Sequence, residues 1–295
     1  MSDQKKRFFL ENNNELGRIR EKSNSKEKIE LESNYGKFFI KKTWDEIERG
    51  EKAILKQINF DEIRISDLII RTPKVFKTEL SDNKFIACME YIEGHSGSDI
   101  STIGSRNISL KIKDALSILI NINFERSKIL DVDCSIFVKK LDEILLKINL
   151  DSEMYKLVRD LKSIFDQQST LKLPVGPCHG DLTLSNIIIS TSGSLNLIDF
   201  IDTFINSPLW DIVKLYQDLK YGWSYRSLAG PEKASSKLFF ENCVPNQVKL
   251  YEEIFSKQIL LFDALNLSRL CPYIKNNETK NWLMANLRSS IIKLS

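Results

Sequence analysis

Histidine is scarce in this chain of 295 residues; His95 and His179 are the two it has. Its five cysteines, Cys88, Cys134, Cys178, Cys243 and Cys271, are odd in number, widely spaced and without a C-x-x-C pair. Neither a disulfide framework nor a Cys/His zinc site is supported. No apolar run approaches the ~18 residues that a membrane-crossing helix needs. The basic start Lys5-Lys6-Arg7 passes through Phe8-Phe9-Leu10 directly into Glu11 and three Asn, which breaks any secretory leader. A soluble cytoplasmic protein that avoids membranes is expected. There is also no excess of one charge: 43 Lys and Arg stand against 40 Asp and Glu, too balanced for the basic surface that nucleic-acid binding requires. With two histidines in the chain, acid–base chemistry falls to carboxylates.

At roughly 100–200 residues per domain, the length fits one large domain or two lobes sharing one active cleft. The first ninety residues alternate strand and turn patterns. Leu16–Lys22 and Ile29–Ser33 flank the polar turn Ser23-Asn24-Ser25-Lys26, and Tyr35-Gly36 leads into the aromatic-rich Lys37–Lys42, which together predict a three-stranded antiparallel meander. Thr43 offers an N-cap hydroxyl for a helix running to about Ile58, with Asp45 and Glu46 in its first turn. Ile47, Ile54, Leu55 and Ile58 share one helical face, and Glu51 lies in the same stripe. A carboxylate on that face calls for a cation, and Lys41 on the preceding strand is the best candidate.

Ile86–Ile92 forms a last apolar strand before Glu93-Gly94, where the hydrophobic pattern breaks. We place a lobe boundary there, giving residues 1–92 and 93–295. Beyond it helices are predicted near 109–123, 135–148, 152–167, 245–265 and 278–294, with Ser224–Ser236 as a loose loop. The fold class is therefore α+β, an N-terminal antiparallel sheet with one helix followed by a mostly α C-terminal lobe.

The chemistry is concentrated between the helical blocks. Cys178-His179-Gly180-Asp181-Leu182-Thr183-Leu184-Ser185-Asn186 precedes the apolar Ile187-Ile188-Ile189, a Thr191-Ser192-Gly193-Ser194 turn and Leu195-Asn196-Leu197-Ile198-Asp199-Phe200. Two strands joined by that turn form a hairpin, with Asp181 and Asn186 before it and Asp199 at its end. Phosphoryl transfer requires such a set: a carboxylate for the proton of an attacking hydroxyl, and hard oxygen ligands for Mg²⁺ on the nucleotide phosphates. Asp181 is the candidate base; Asn186 and Asp199 are the candidate metal ligands.

The D-x-x-x-x-N spacing followed by Asp-Phe resembles the catalytic and metal-binding motifs of the protein-kinase fold. The His179-Gly180-Asp181 form resembles its small-molecule branch, the aminoglycoside phosphotransferase and choline kinase-like family. That resemblance covers roughly residues 15–220. It implies an ATP- and Mg²⁺-dependent enzyme in which Lys41 holds the α- and β-phosphates and Glu51 fixes Lys41, with Lys37 and Lys42 as competing lysines. It also implies that adenine meets backbone groups near Glu90 and Ile92, that His179 and Asp211 brace the catalytic loop, and that the phosphate-covering turn is Ser23-Asn24-Ser25, since no G-x-G-x-x-G precedes the lysine. Phe39 either lies against the adenine ring or is an ordinary core residue. No A-P-E segment is present, which argues against a protein substrate.

From Thr203 onward 12 Lys and Arg face 8 Asp and Glu, so a polycationic aminoglycoside is a poor match for this region. Asp202, Glu252, Glu253 and Asp263 are the carboxylates that could serve a cationic acceptor, and Trp210, Tyr221, Trp223 and Tyr225 the aromatic rings. A small-molecule hydroxyl on a sugar, an amino alcohol or a related metabolite fits best. The competing reading is a catalytically silent kinase-fold module that binds a nucleotide or a partner.

Overall fold

The structure, a computed structural model, describes residues 27–34, 37–150, 152–274 and 276–294. In chain order these form β1 (Glu27–Asn34), β2 (Lys37–Trp44), α1 (Ile47–Ile58), β3 (Ile63–Ile65), β4 (Leu68–Arg71), β5 (Val75–Ser81), β6 (Lys84–Glu90), β7 (Gly94–Ser96) and the short α2 (Gly97–Ile100). They continue with α3 (Arg106–Glu125), β8 (Lys128–Asp133), α4 (Ser135–Leu145), α5 (Glu153–Asp166), β9 (Thr170–Val175), β10 (Ile187–Ser190) and β11 (Leu195–Leu197). The chain ends in α6 (Pro208–Leu219), α7 (Gly230–Asn242), α8 (Asn246–Ile254), α9 (Ser256–Ser268) and α10 (Asn277–Ile292). This is the α+β class expected, strands and one long helix first and mostly helices after.

Two compact units result. The first holds the described residues up to Ala115 together with Thr183–Asp202 and Ser224–Asn242; the second holds Leu116–Leu182, Thr203–Trp223 and Cys243–Ser295. In the first, β1-β2-β6-β5 form an antiparallel sheet, and β3-β4-β11-β10-β7 form a second sheet in which β11 runs parallel to β4. The hairpin β10–β11 thus pairs with a strand from early in the chain.

The core under the first sheet explains how α1 sits. Trp44 and Phe85 are buried with their rings 5.7 Å apart, and a Cβ added at Gly50 would lie 2.7 Å from the Phe85 ring. The two rings leave room only for a glycine at position 50, and the helix face that includes Gly50 brings Ala53, Ile54 and Gln57 inward with it. This differs from the predicted stripe: Leu55 and Ile58 are exposed, and so is Glu51. Thr43 is likewise not a cap. Burying Trp44 extends β2 past it, and that burial outweighs the ~1 kcal/mol of an N-cap.

In the second unit β8 and β9 pair antiparallel, a ribbon that the sequence pattern does not predict. The helices near 109–123, 135–148, 152–167, 245–265 and 278–294 are present, the fourth divided at Phe255 into α8 and α9. Residues 230–236, read as part of the loose loop Ser224–Ser236, are helical, the first half of α7. α6 begins on a Ser207 side chain that accepts from the Leu209 N–H, with Pro208 at its first position, and all its residues are buried. None of the helices among the described residues is long and apolar enough to cross a membrane.

Candidate active site

In the first unit a buried ammonium meets two carboxylates. Lys42 Nζ lies 2.8 Å from Asp199 Oδ1 and 3.1 Å from Glu27 Oε2, and Arg49 reaches the other oxygen of Glu27 at 3.0 Å. Burial by itself would depress the Lys42 ammonium, but Asp199 and Glu27 outweigh that cost and hold its pKa above the ordinary lysine value. Asp199 terminates the β10–β11 hairpin with φ of 60°, a left-handed backbone that costs a non-glycine residue of order 1 kcal/mol. The Ile198 N–H donates to the Asn186 carbonyl (3.0 Å), which sets Asn186 and Asp199 side by side at the hairpin's end. The segment that follows is held by α1: Lys56 Nζ donates to the Ile201 carbonyl (2.8 Å), and Lys52 Nζ lies 3.5 Å from Asp202.

Lys41 is on the opposite face of β2. Its Nζ lies 3.4 Å from Glu32, and both side chains are partly in water. Strand parity separates Lys41 from Lys42, and the core decides between them, since Ile40, Lys42 and Trp44 share the face that packs under the sheet. The pairing of Lys41 with Glu51 expected from the sequence is therefore replaced by Lys42 with Asp199 and Glu27, because Glu51 rotates outward with its helix. Phe39 is half-buried opposite Glu90. Glu90 forms a two-pronged ion pair with Arg71 (2.7 and 2.9 Å) that holds its carboxyl below the usual range, and its N–H is taken by the Lys74 carbonyl (2.8 Å). Ile92 is buried. The turn Ser23-Asn24-Ser25 lies outside the described residues.

In the second unit the His179-Gly180-Asp181 segment is fixed by α6. The Asp211 carboxylate, fully buried, accepts from the His179 N–H (2.9 Å) and the Gly180 N–H (2.8 Å). Gly180 has φ of 86°, a conformation that glycine adopts without a steric penalty, which accounts for glycine between the His and the Asp. The buried His179 ring accepts the Asp181 N–H at Nδ1 (3.2 Å), so it positions the backbone of Asp181. Asp181 Oδ1 lies 3.0 Å from Lys214 Nζ. Glu27, Lys42 as the buried lysine, and Lys214 escape sequence reasoning. A signal for Lys214 exists in the spacing Asp211, Lys214, Gln217 and Asp218 within an otherwise apolar helix.

Three of the four candidate acceptor carboxylates have protein partners. Asp202 faces Lys52, Glu252 accepts the Tyr216 hydroxyl, and buried Asp263 accepts from the Tyr221 and Ser290 hydroxyls; Glu253 is exposed. The aromatic candidates pack against other rings: Trp210 with Phe204 and Phe262, Tyr221 and Trp223 with Trp282, and Tyr225 with Phe240.

Among the described residues no three Asp, Glu, His or Cys side chains gather to hold a metal. Asp199 and Asn186 offer one carboxylate and one amide oxygen, the donor set with which Mg²⁺ is held when phosphate oxygens and water complete its shell.

Residues 127–234 match the profile of the phosphotransferase enzyme family. The resemblance read from the sequence is borne out. The match spans the His179-Gly180-Asp181 loop, Asp199 and α6. Among solved structures, the chain is similar to a choline kinase from Streptococcus pneumoniae at 17% identity and a TM-score of 0.57, covering 99% of this chain and 100% of that one. It is also similar to a thermostable aminoglycoside phosphotransferase variant in ternary complex with AMP-PNP and hygromycin B, at 11% identity, a TM-score of 0.57 and 97% of each chain. A fructosamine-3-kinase-like protein from Haemophilus somnus aligns at 13% identity and a TM-score of 0.50, covering 92% of this chain and 88% of that one. These likenesses identify the kinase-type fold. No curated protein matches the sequence.

Proposed function

We propose that this phosphotransferase-family chain transfers the γ-phosphate of ATP to a hydroxyl of a small molecule. The observation that carries the reading is the buried Lys42 ammonium 2.8 Å from Asp199, at a hairpin end that also bears Asn186. A lysine held there by two carboxylates is suited to bind nucleotide phosphates, the part that Lys41 was expected to play. Residues 1–92 carry the nucleotide, with backbone groups near Glu90 and Ile92 for adenine, and residues 93–295 carry the acceptor. Asp199 and Asn186 hold Mg²⁺, which when bound supplies charge neutralisation for the transferred phosphoryl group. Asp181 accepts the proton of the acceptor hydroxyl as its oxygen bonds to the γ-phosphorus and the bond to the ADP oxygen breaks. Asp211 holds the His179 and Gly180 N–H groups and His179 accepts the Asp181 N–H, which together fix Asp181, so that catalysis is largely positioning and charge stabilisation.

The acceptor follows from charge. Three of the four candidate carboxylates are already engaged by Lys52, Tyr216, Tyr221 and Ser290, and cations are in surplus from Thr203 onward. This supports a neutral or anionic sugar or metabolite over a polycationic aminoglycoside. The test is ADP release from Mg-ATP across aminoglycosides, choline, ethanolamine, amino alcohols and sugars, with Asp181→Asn as control. Turnover of one class that falls by ~10²-fold or more in the variant is expected. ATP binding with no turnover of any acceptor class would favour the silent module instead.

A further inference from the structure

α6 is buried on all sides, yet it carries Asp211, Lys214, Gln217 and Asp218 on successive turns. Asp211 serves the backbone of the His179-Gly180-Asp181 loop; the proposed reaction leaves the other three without a part. Lys214 Nζ lies 3.0 Å from Asp181 Oδ1 and donates to Gln217 Oε1 at 3.3 Å. Gln217 Oε1 also accepts from Asn266 Nδ2 on α9 (3.3 Å), and that Nδ2 reaches the Val213 carbonyl (3.5 Å). Two donors converging on Oε1 fix the Gln217 amide with its oxygen toward the ammonium.

Burying an ammonium costs several kcal/mol, and an apolar side chain of similar volume at the same place would often be neutral or stabilising. Packing therefore does not call for a lysine here. The charges around it are Asp181 and Asp218, which favour its protonated form, and Arg269, which opposes it; burial is the largest influence and depresses its pKa. We infer that Lys214 is a positioning residue for Asp181, anchored by Gln217 and Asn266, that keeps the carboxylate ionised and fixes the direction of its Oδ1. The inference rests on Asp181 being the proton acceptor of the proposed reaction.

The experiment is a ¹³C NMR titration of aspartate-labelled protein, with Asp181 assigned from its missing signal in Asp181→Asn. Lys214→Met and Lys214→Gln are compared with the unmodified chain, each checked for a cooperative thermal transition. Loss of a cation at salt-bridge distance is expected to raise the proton affinity of Asp181 at least about tenfold in Lys214→Met, and by less in Lys214→Gln, which keeps an N–H donor. ADP release from Mg-ATP with water as acceptor should be reduced in both, more at acidic pH than at alkaline pH. An Asp181 that titrates in folded Lys214→Met or Lys214→Gln as it does in the unmodified chain overturns the inference. If Asp181→Asn itself leaves ADP release unchanged, the assignment of Asp181 as proton acceptor fails, whatever Lys214 does to its titration.

Discussion

Replacing Lys42 with Met tests which strand face carries the phosphate-binding lysine. The Lys42 side chain is 8% exposed and neutralises Glu27 and Asp199, so its removal leaves two carboxylates short of a cation. Breaking a buried pair costs about 3–5 kcal/mol. Asp199 is 23% exposed and Arg49 remains on Glu27, which places this case at about 3 kcal/mol, or roughly 6 °C of melting temperature for a chain of this size. A charge-assisted hydrogen bond to phosphate contributes about 1.5–3 kcal/mol, so the dissociation constant for ATP should rise roughly 10- to 150-fold. Lys41→Met is the matched control. Its ion pair with Glu32 is 3.4 Å long, with side chains 30% and 41% exposed, and is worth within about 0.5 kcal/mol after solvent screening. Its ATP affinity and melting temperature should therefore stay at wild-type values. Calorimetric titration with Mg-ATP and thermal melting of both variants decide the matter. Weaker ATP binding in Lys41→Met with normal binding in Lys42→Met would refute the reasoning.

Two further perturbations follow from backbone conformation and from buried charge. Gly180→Ala places a Cβ on a residue with φ of 86°, costing about 1–2 kcal/mol; a lower melting temperature and slower ADP release are expected, and wild-type values of both would count against a positioned loop. Asp263 is buried, and desolvation pushes its carboxyl above the ordinary Asp value of about 3.9, so the folded state holds this proton more tightly than the unfolded state does. Its ionisation penalty is absent at pH below the unfolded value and grows as pH rises toward the folded one. Asp263→Asn should therefore gain melting temperature on the unmodified protein as pH goes from about 4 to 8, and parallel melting curves across that range would contradict the assignment.

The part of the chain written in local order was legible from the sequence. The His179-Gly180-Asp181 loop, the hairpin with Asn186 before it and Asp199 after it, and most helix spans follow from turn chemistry and from apolar periods of 2 and 3.6, which depend on near neighbours alone. The competition between Lys41 and Lys42 could be posed in the sequence, since parity puts them on opposite faces. It could not be decided there, because the choice of inner face depends on Trp44 meeting Phe85 from another strand and Gly50 from a helix. The same contact turned Glu51 outward. The ribbon of β8 and β9 and the parallel pairing of β11 with β4 were hidden because strand partners distant in sequence leave no local pattern.

The sequence by itself determined which chemical groups are present and their order: Asp181, Asn186 and Asp199 around one hairpin, and a supply of lysines. Tertiary structure decided which lysine is buried and what each charge faces. Lys42 and Asp199 stand 157 positions apart, and Lys214 reaches Asp181 from a helix that sequence periodicity did not single out. A charge in the interior persists only where a distant partner offsets its desolvation, and that partner is chosen by packing.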